Sequence, residues 1–408
     1  MIPVSEALQN VMNGVSTLAA ERVQISDALG RVLAEDVVSR VSHPPAAVSS
    51  MDGYAVISAD TSGTPVSLKL VGESAAGGGF DGTVKMGETV RIFTGAPLPD
   101  GADAVVMQEN TDTEGTDVII KEGVDTGNFI RPAGMDFAVG DVLLNAGTVL
   151  NARHIALAAA MNAPWMNVVR KPRIAILATG DELVMPGESM GPSQIVSSNS
   201  FLLEKYVESL GGKAVSLLIA GDTESALKSA LEGARGCDML ITIGGASVGD
   251  YDLVGRVLED LGLELIFHKV AQRPGKPLLF GKLGESFSGM PVMGMPGNPV
   301  STGVCSMLYL KPAMMKMLGI DQADPTRQTA KLGVDVREND QRQDYLRASL
   351  DIDETGESVA TPFSKQDSAL LARFAAADCL IIRAPLAPAA KAGDRVEIVS
   401  LAGSIFST

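Results

Sequence analysis

Oxyanion-binding chemistry is suggested most clearly by Met290-Pro-Val-Met-Gly-Met-Pro-Gly-Asn-Pro-Val-Ser-Thr302. A short apolar run turns at Pro296-Gly297 and opens a helix. Asn298 stands at the N-cap, and Pro299 falls in the first turn, where a missing N–H costs nothing. Such a strand–turn–helix entry leaves backbone N–H groups at the positive end of the helix dipole, where phosphate-like anions bind. An ordinary β–α turn has the same pattern, so the weight comes from further loops of this kind. Gly244, Gly245 and Gly249, with Ser247 among them, form a glycine-rich loop that lets backbone N–H groups approach a ligand closely. Thr179-Gly-Asp-Glu-Leu183 and Gly221-Asp222-Thr223 also follow apolar runs. Asp181, Glu182, Asp222, Asp250 and Asp252 supply hard oxygen donors suited to Mg²⁺ bridging a phosphate, with Glu182, Asp222 and Asp250 as the metal candidates. Lys269, Arg273 and Lys276 form the clearest local excess of positive charge in a chain of formal charge −16.

These loops need strands and helices to hold them. From Arg173 onward, near-continuous apolar runs (Arg173–Thr179, Ala214–Ala220, Asp238–Ile243, Pro291–Met295) alternate with helical patterns at 198–210, 223–234 and 251–261. Buried strands alternating with helices predict a parallel, doubly wound sheet, whose ligands sit beyond the carboxyl ends of the strands. The glycine and carboxylate loops therefore gather on one edge of one sheet. Upstream, apolar residues at helical spacing predict an opening helix over 2–15. His43-Pro-Pro then marks an extended entry to Asp52-Gly53, a turn signal before a strand at Tyr54–Ile57. Short β-patterned runs over 64–131 predict a small all-β domain. It contains the Gly/Pro loop from Thr94 to Gly101, and the glycine turn Arg131–Asp136 follows. Asn151 is expected to cap a helix reaching about Ala160. After Lys311-Pro312 the pattern is strand-like to the end, predicting a C-terminal β domain in which Arg347 and Ser368 could reach a neighbouring site, although spacing alone favours a sheet-surface Arg and a turn Ser.

At 408 residues and 46% hydrophobic content the chain can build several cores, although aromatics make up only 4%. The acidic balance argues against nucleic acid and anionic membrane surfaces, both of which require basic stripes. No window is apolar enough for a membrane span, and no signal peptide is visible. Cys237, Cys305 and Cys379 are odd in number and far apart, as in a cytoplasmic protein with reduced thiols. The three histidines are scattered, so a soft-metal site is not expected.

Seven ordered stretches resemble the molybdopterin molybdenumtransferase family (MoeA), which includes the gephyrin E domain. They are Ser50-Met-Asp-Gly-Tyr-Ala, Thr94-Gly-Ala-Pro-Leu-Pro-Asp-Gly-Ala-Asp-Ala-Val, Arg131-Pro-Ala-Gly-Met-Asp, Ala178-Thr-Gly-Asp-Glu-Leu, Gly244-Gly-Ala-Ser-Val-Gly, Pro274-Gly-Lys-Pro and Met295-Pro-Gly-Asn-Pro-Val-Ser. The resemblance implies a multidomain chain of α/β and all-β parts. An elongated N-terminal dimerisation segment would comprise 1–45 and 132–168, with a β domain inserted at 46–131. A doubly wound molybdopterin-binding domain at 169–318 and a C-terminal β domain at 319–408 would follow. It also implies a homodimer that performs Mg²⁺-dependent insertion of molybdate into adenylylated molybdopterin with release of AMP. The molybdopterin-adenylylating enzyme and acceptor molybdoenzymes would be its partners. Asp52, Thr94, Asp136, Glu182, Asp222 and Asp252 match polar positions of the family's site. Lys269, Arg273 and Lys276 match its cationic loop, and Pro296 and Pro299 its rigid turn, while Arg347 and Ser368 fall in the looser C-terminal part. The chain departs from the pattern at Ala47-Val48, where an acidic or amide pair is expected, at Arg273 in place of lysine, and at Leu253 in place of an aromatic residue. The alternative implied by gephyrin is a non-catalytic molybdopterin-binding scaffold or carrier.

Overall fold

The computed structural model describes residues 1–221, 223–244, 253–320 and 327–401. Asp222, Gly245, Ser247, Gly249, Asp250 and Asp252, all named above, lie outside the described residues. Among the described residues no helix is long and apolar enough to cross a membrane.

The central unit is a six-stranded sheet in the order 213–220, 173–179, 239–243, 291–295, 277–282, 264–269. The first four strands pair in parallel. Pro277–Lys282 is antiparallel to both its neighbours and is the one reversed strand. Strand–helix alternation predicted the parallel part. The two outer strands were not separated in the sequence, because His268–Pro277 reads there as a charged loop. Ile174, Ile176, Ile241 and Met293 point to one face of the sheet, while Ala175, Leu177, Leu240 and Val292 point to the other, and each face has its own buried cluster. Two-sided burial explains why these strands read as continuous apolar runs rather than alternating ones.

Helices Asn199–Ser209, Glu224–Glu232 and Leu253–Asp260 cover the sheet. The opening helix Val4–Gly14 inserts Ala7 and Val11 into the first of these clusters, beside Phe280, Tyr309 and Met314. A long helical run begins at Pro299–Cys305, passes through a π-helical turn at Ser306–Leu310, and continues as Lys311–Met317.

Upstream, the chain leaves and returns. Ala20–Gln24 pairs with Trp165–Val169, and Val37–Val38 pairs with Val142–Leu144, around a core that includes Leu33, Phe137, Leu150 and Met161. Between these pairings lies a six-stranded sheet with buried residues on both faces. Its Thr111–Glu114 strand is polar and largely exposed, so it carried no hydrophobic signal. Asn151 caps the Ala152–Ala160 helix as expected, accepting from the His154 N–H at 3.0 Å. The C-terminal sheet has its own buried core and also recruits Gln272–Arg273, which pairs in parallel with Gln343–Asp344. A piece of the central unit thus forms the edge of the C-terminal sheet.

Candidate functional site

Three parallel strands end together. Gly244 has φ of +85°, and its N–H donates to the Met295 carbonyl at 3.3 Å. A Cβ added there would stand 3.4 Å from the Thr179 carbonyl oxygen, so glycine serves both the backbone conformation and the close approach of adjacent strand ends. Beyond Thr179 the chain turns at Gly180, whose carbonyl accepts from the Leu183 N–H at 3.0 Å. Glu182 is exposed at this turn and has no ion pair among the described residues.

The Pro296–Pro299 turn is held from three sides. The Thr302 hydroxyl donates to the Pro296 carbonyl at 2.6 Å, and the Asn199 amide donates to the Gly297 carbonyl at 2.7 Å. The third support comes from the C-terminal domain. The Asn298 side-chain amide donates to the Ser368 hydroxyl at 3.0 Å, and the Val300 N–H donates to the Ser368 carbonyl at 3.1 Å. This corrects the sequence reading in two respects. Asn298 occupies the N-cap position, but its side chain makes no capping bond. One first-turn N–H expected to face an anion is already satisfied by Ser368. The physical reason is that buried backbone donors must find partners, and a loop from another domain supplied one before any ligand.

Ser368 itself is held in place through Arg347, which is 1% exposed. The Arg347 Nη2 donates to the Asp367 carbonyl at 3.1 Å, and its backbone N–H donates to Gln366 Oε1 at 3.0 Å. Gln366 Nε2 donates back to the Arg347 carbonyl at 2.9 Å. Burial lowers the Arg347 pKa. Arg347 and Ser368 therefore act as a support and a contact of one turn. Gln366 and Asn199 were missed in the sequence because an amide near a loop carries no distinguishing pattern.

The cations divide. Pro277–Lys282 runs antiparallel to Pro291–Met295, so Lys276, just before the one, falls at the end where the other leads into Pro296-Gly297. Reversal of the Pro277–Lys282 strand is what brings its leading residue to the carboxyl edge. Lys269 pairs with Pro277 at the same end. Neither lysine has an ion pair among the described residues. Arg273 is instead ion-paired with Asp344 and with Asp340, the latter at 3.1 Å. The pair ties the cationic loop to the C-terminal sheet. Burial pushes the Asp344 carboxyl up, and the Arg273 guanidinium offsets that only in part.

Asp52 and Thr94 form a second group. Asp52 Oδ1 accepts the Thr94 N–H at 2.7 Å and the Thr94 hydroxyl at 2.8 Å. These two bonds hold the Asp52 carboxyl below its ordinary range, with a smaller contribution from the Arg91 charge. Asp136 lies on a cleft of about 780 Å³ with Arg131, Met135, Ala46, Val48 and Gly95, the residue after Thr94. Of the Ala47-Val48 departure, Val48 places an apolar side chain on this cleft. Within one chain, no hydrogen bond or ion pair among the described residues joins this group to the sheet-edge group.

Comparison with known proteins adds independent support. Residues 2–162 match the MoeA N-terminal region (domain I and II), 175–316 a probable molybdopterin binding domain, and 329–401 the MoeA C-terminal region (domain IV). The chain is 37% identical to a molybdopterin molybdenumtransferase of Nostoc sp. over 81% of its length and 77% of that protein. It is 33% identical to one of Haemophilus influenzae over 93% of both. A crystal structure of a molybdopterin biosynthesis MoeA protein from Pyrococcus horikoshii superimposes with a TM-score of 0.87 at 31% identity, covering 99% of this chain and 100% of that one. With all three regions matched in order and relatives aligned over most of the chain, this protein belongs to the molybdopterin molybdenumtransferase family.

Proposed function

We propose that this chain is the transferase of molybdenum cofactor biosynthesis that inserts molybdate into adenylylated molybdopterin and releases AMP. The observation that carries the reading is the sheet-edge constellation of Gly244, the Pro296–Pro299 turn, Ser368 and Lys276. It gathers small donors and a cation that has no ion pair among the described residues where an oxyanion would sit. Lys276 and Lys269 offset the charge of molybdate and the phosphoanhydride, while the Asn298 amide and Ser368 hydroxyl orient them. Asp52, ionised at neutral pH and fixed by Thr94, is set to accept a hydrogen bond from bound substrate or water. The reading assigns no covalent intermediate to the protein.

Glu182 is an exposed carboxylate with no ion pair among the described residues, so its oxygens suit Mg²⁺, with Asp222 and Asp250 as further candidate ligands. When bound, the ion would supply Lewis-acid polarisation of the anhydride. Because no hydrogen bond or ion pair among the described residues joins the Asp52 group to the sheet edge within one chain, the proposal includes a homodimer in which each site takes one group from either protomer.

The test is AMP release from adenylylated molybdopterin with molybdate and Mg²⁺, measured for the native chain and Glu182→Ala. Molybdate-dependent release that the substitution abolishes supports the transferase. Substrate binding without turnover in the native chain would overturn it in favour of a carrier.

A further inference from the structure

The cationic loop rests on a buried polar group that the sequence reading did not use. Gln272, Tyr309 and Cys305 are each 0% exposed. Gln272 Nε2 donates to the Pro274 carbonyl at 3.0 Å and also contacts Cys305 Sγ at 3.5 Å. Its Oε1 accepts the Tyr309 hydroxyl. The carboxamide is thus engaged at both ends, and the Pro274 carbonyl, which can only accept, fixes which way round it lies. Gly275 sits directly on this group at φ +95°, and a Cβ there would come within 2.5 Å of Gln272 Nε2 and 2.6 Å of Cys305 Sγ. One residue later comes Lys276, whose carbonyl accepts the Val270 N–H at 3.0 Å.

Tyr309 belongs to the π-helical turn Ser306–Leu310. A π turn adds a residue to the winding and re-aims the side chains that follow, and such turns recur at functional sites. Below, the helical run begins at the Pro296–Pro299 turn. Above, Gln272–Arg273 pairs with the C-terminal sheet. The Gln272 amide is therefore the point where the helix that opens at the candidate site, the cationic loop and the C-terminal domain meet.

Resting on the transferase reading, we infer that Gln272 and Tyr309 are positioning residues that hold the Pro274-Gly275 turn and thereby set the place of Lys276 at the sheet edge. They touch no substrate and act only through the loop. Their removal should weaken capture of anionic substrate more than it slows turnover. A misplacement of about 1 Å in a charge-bearing loop is enough for a large loss.

The experiment measures molybdate-dependent AMP release for the full chain, for Gln272→Met, for Tyr309→Phe and for the double variant. Melting temperature is followed in parallel. Gln272→Met keeps the length of the side chain, and Tyr309→Phe removes one hydroxyl from an otherwise unchanged ring. We expect the KM for molybdate to rise about tenfold in Gln272→Met and about threefold in Tyr309→Phe, with kcat within about twofold. The double variant should resemble Gln272→Met alone, because the hydroxyl acts only through the amide. A purely structural role would lower the melting temperature and the active fraction while leaving KM untouched. That result, or additive effects in the double variant, would overturn the inference. A native chain that releases no AMP would instead overturn the transferase reading, and the inference with it.

Discussion

Arg347→Met separates support of the site from support of the fold. The guanidinium is almost fully buried, with Nη2 on the Asp367 carbonyl at 3.1 Å and Nε without a partner among the described residues. The bond from a charged donor is worth about 1.5–3 kcal/mol, and a buried polar atom left unpaired costs about 1–3 kcal/mol. These terms nearly offset, and methionine fills irregular space well. Net stability should therefore change by no more than about 1 kcal/mol, with a shift in melting temperature of a few degrees. The active site should not be spared. Loss of the Asp367 bond frees the loop that carries Ser368, and with it the hydroxyl that accepts from the Asn298 amide. We expect kcat/KM for molybdate-dependent AMP release to fall about tenfold to a hundredfold. Calorimetry and steady-state kinetics on the same preparation decide the matter. A fall in melting temperature beyond about 10 °C with kcat/KM intact would refute the reasoning, because Arg347 would then hold the sheet and not the loop.

Two further predictions rest on equally local geometry. Thr94→Val deletes one of the two donors that depress the Asp52 carboxyl, so that carboxyl should rise toward its ordinary 3.8. The stability tied to this depressed carboxyl is present above the unfolded value and lost as pH falls through the folded one. Both the acid limb of the pH–rate profile and the onset of acid unfolding should therefore move to higher pH, and an unmoved carboxyl titration would refute this. Gly53→Ala would place a Cβ 1.9 Å from the Val106 carbonyl oxygen, inside a strand pair. Backbone cannot yield as a side-chain tip does, so thermal unfolding should show a loss at or above the roughly 1–3 kcal/mol usual for overpacking.

The sequence by itself determined the parts whose signal is local. Continuous apolar runs separated by helical spacing specify a sheet buried on both faces, because the period of burial is written into consecutive residues. Glycine at 244 and the Pro296-Gly297 turn were legible for the same reason, since φ and chain reversal depend on the residue and its immediate neighbours. The direction of the Pro277–Lys282 strand was not, because reversal depends on which strand it lies beside. Nor could spacing show that Ser368 would occupy the Val300 N–H, that Arg273 would turn to Asp344, or that Asn199 would brace Gly297. Residue type states how many hydrogen bonds or charges a side chain has to satisfy. Only the tertiary structure decides which partner, 68 to 98 residues away in these cases, arrives within hydrogen-bonding distance to satisfy them.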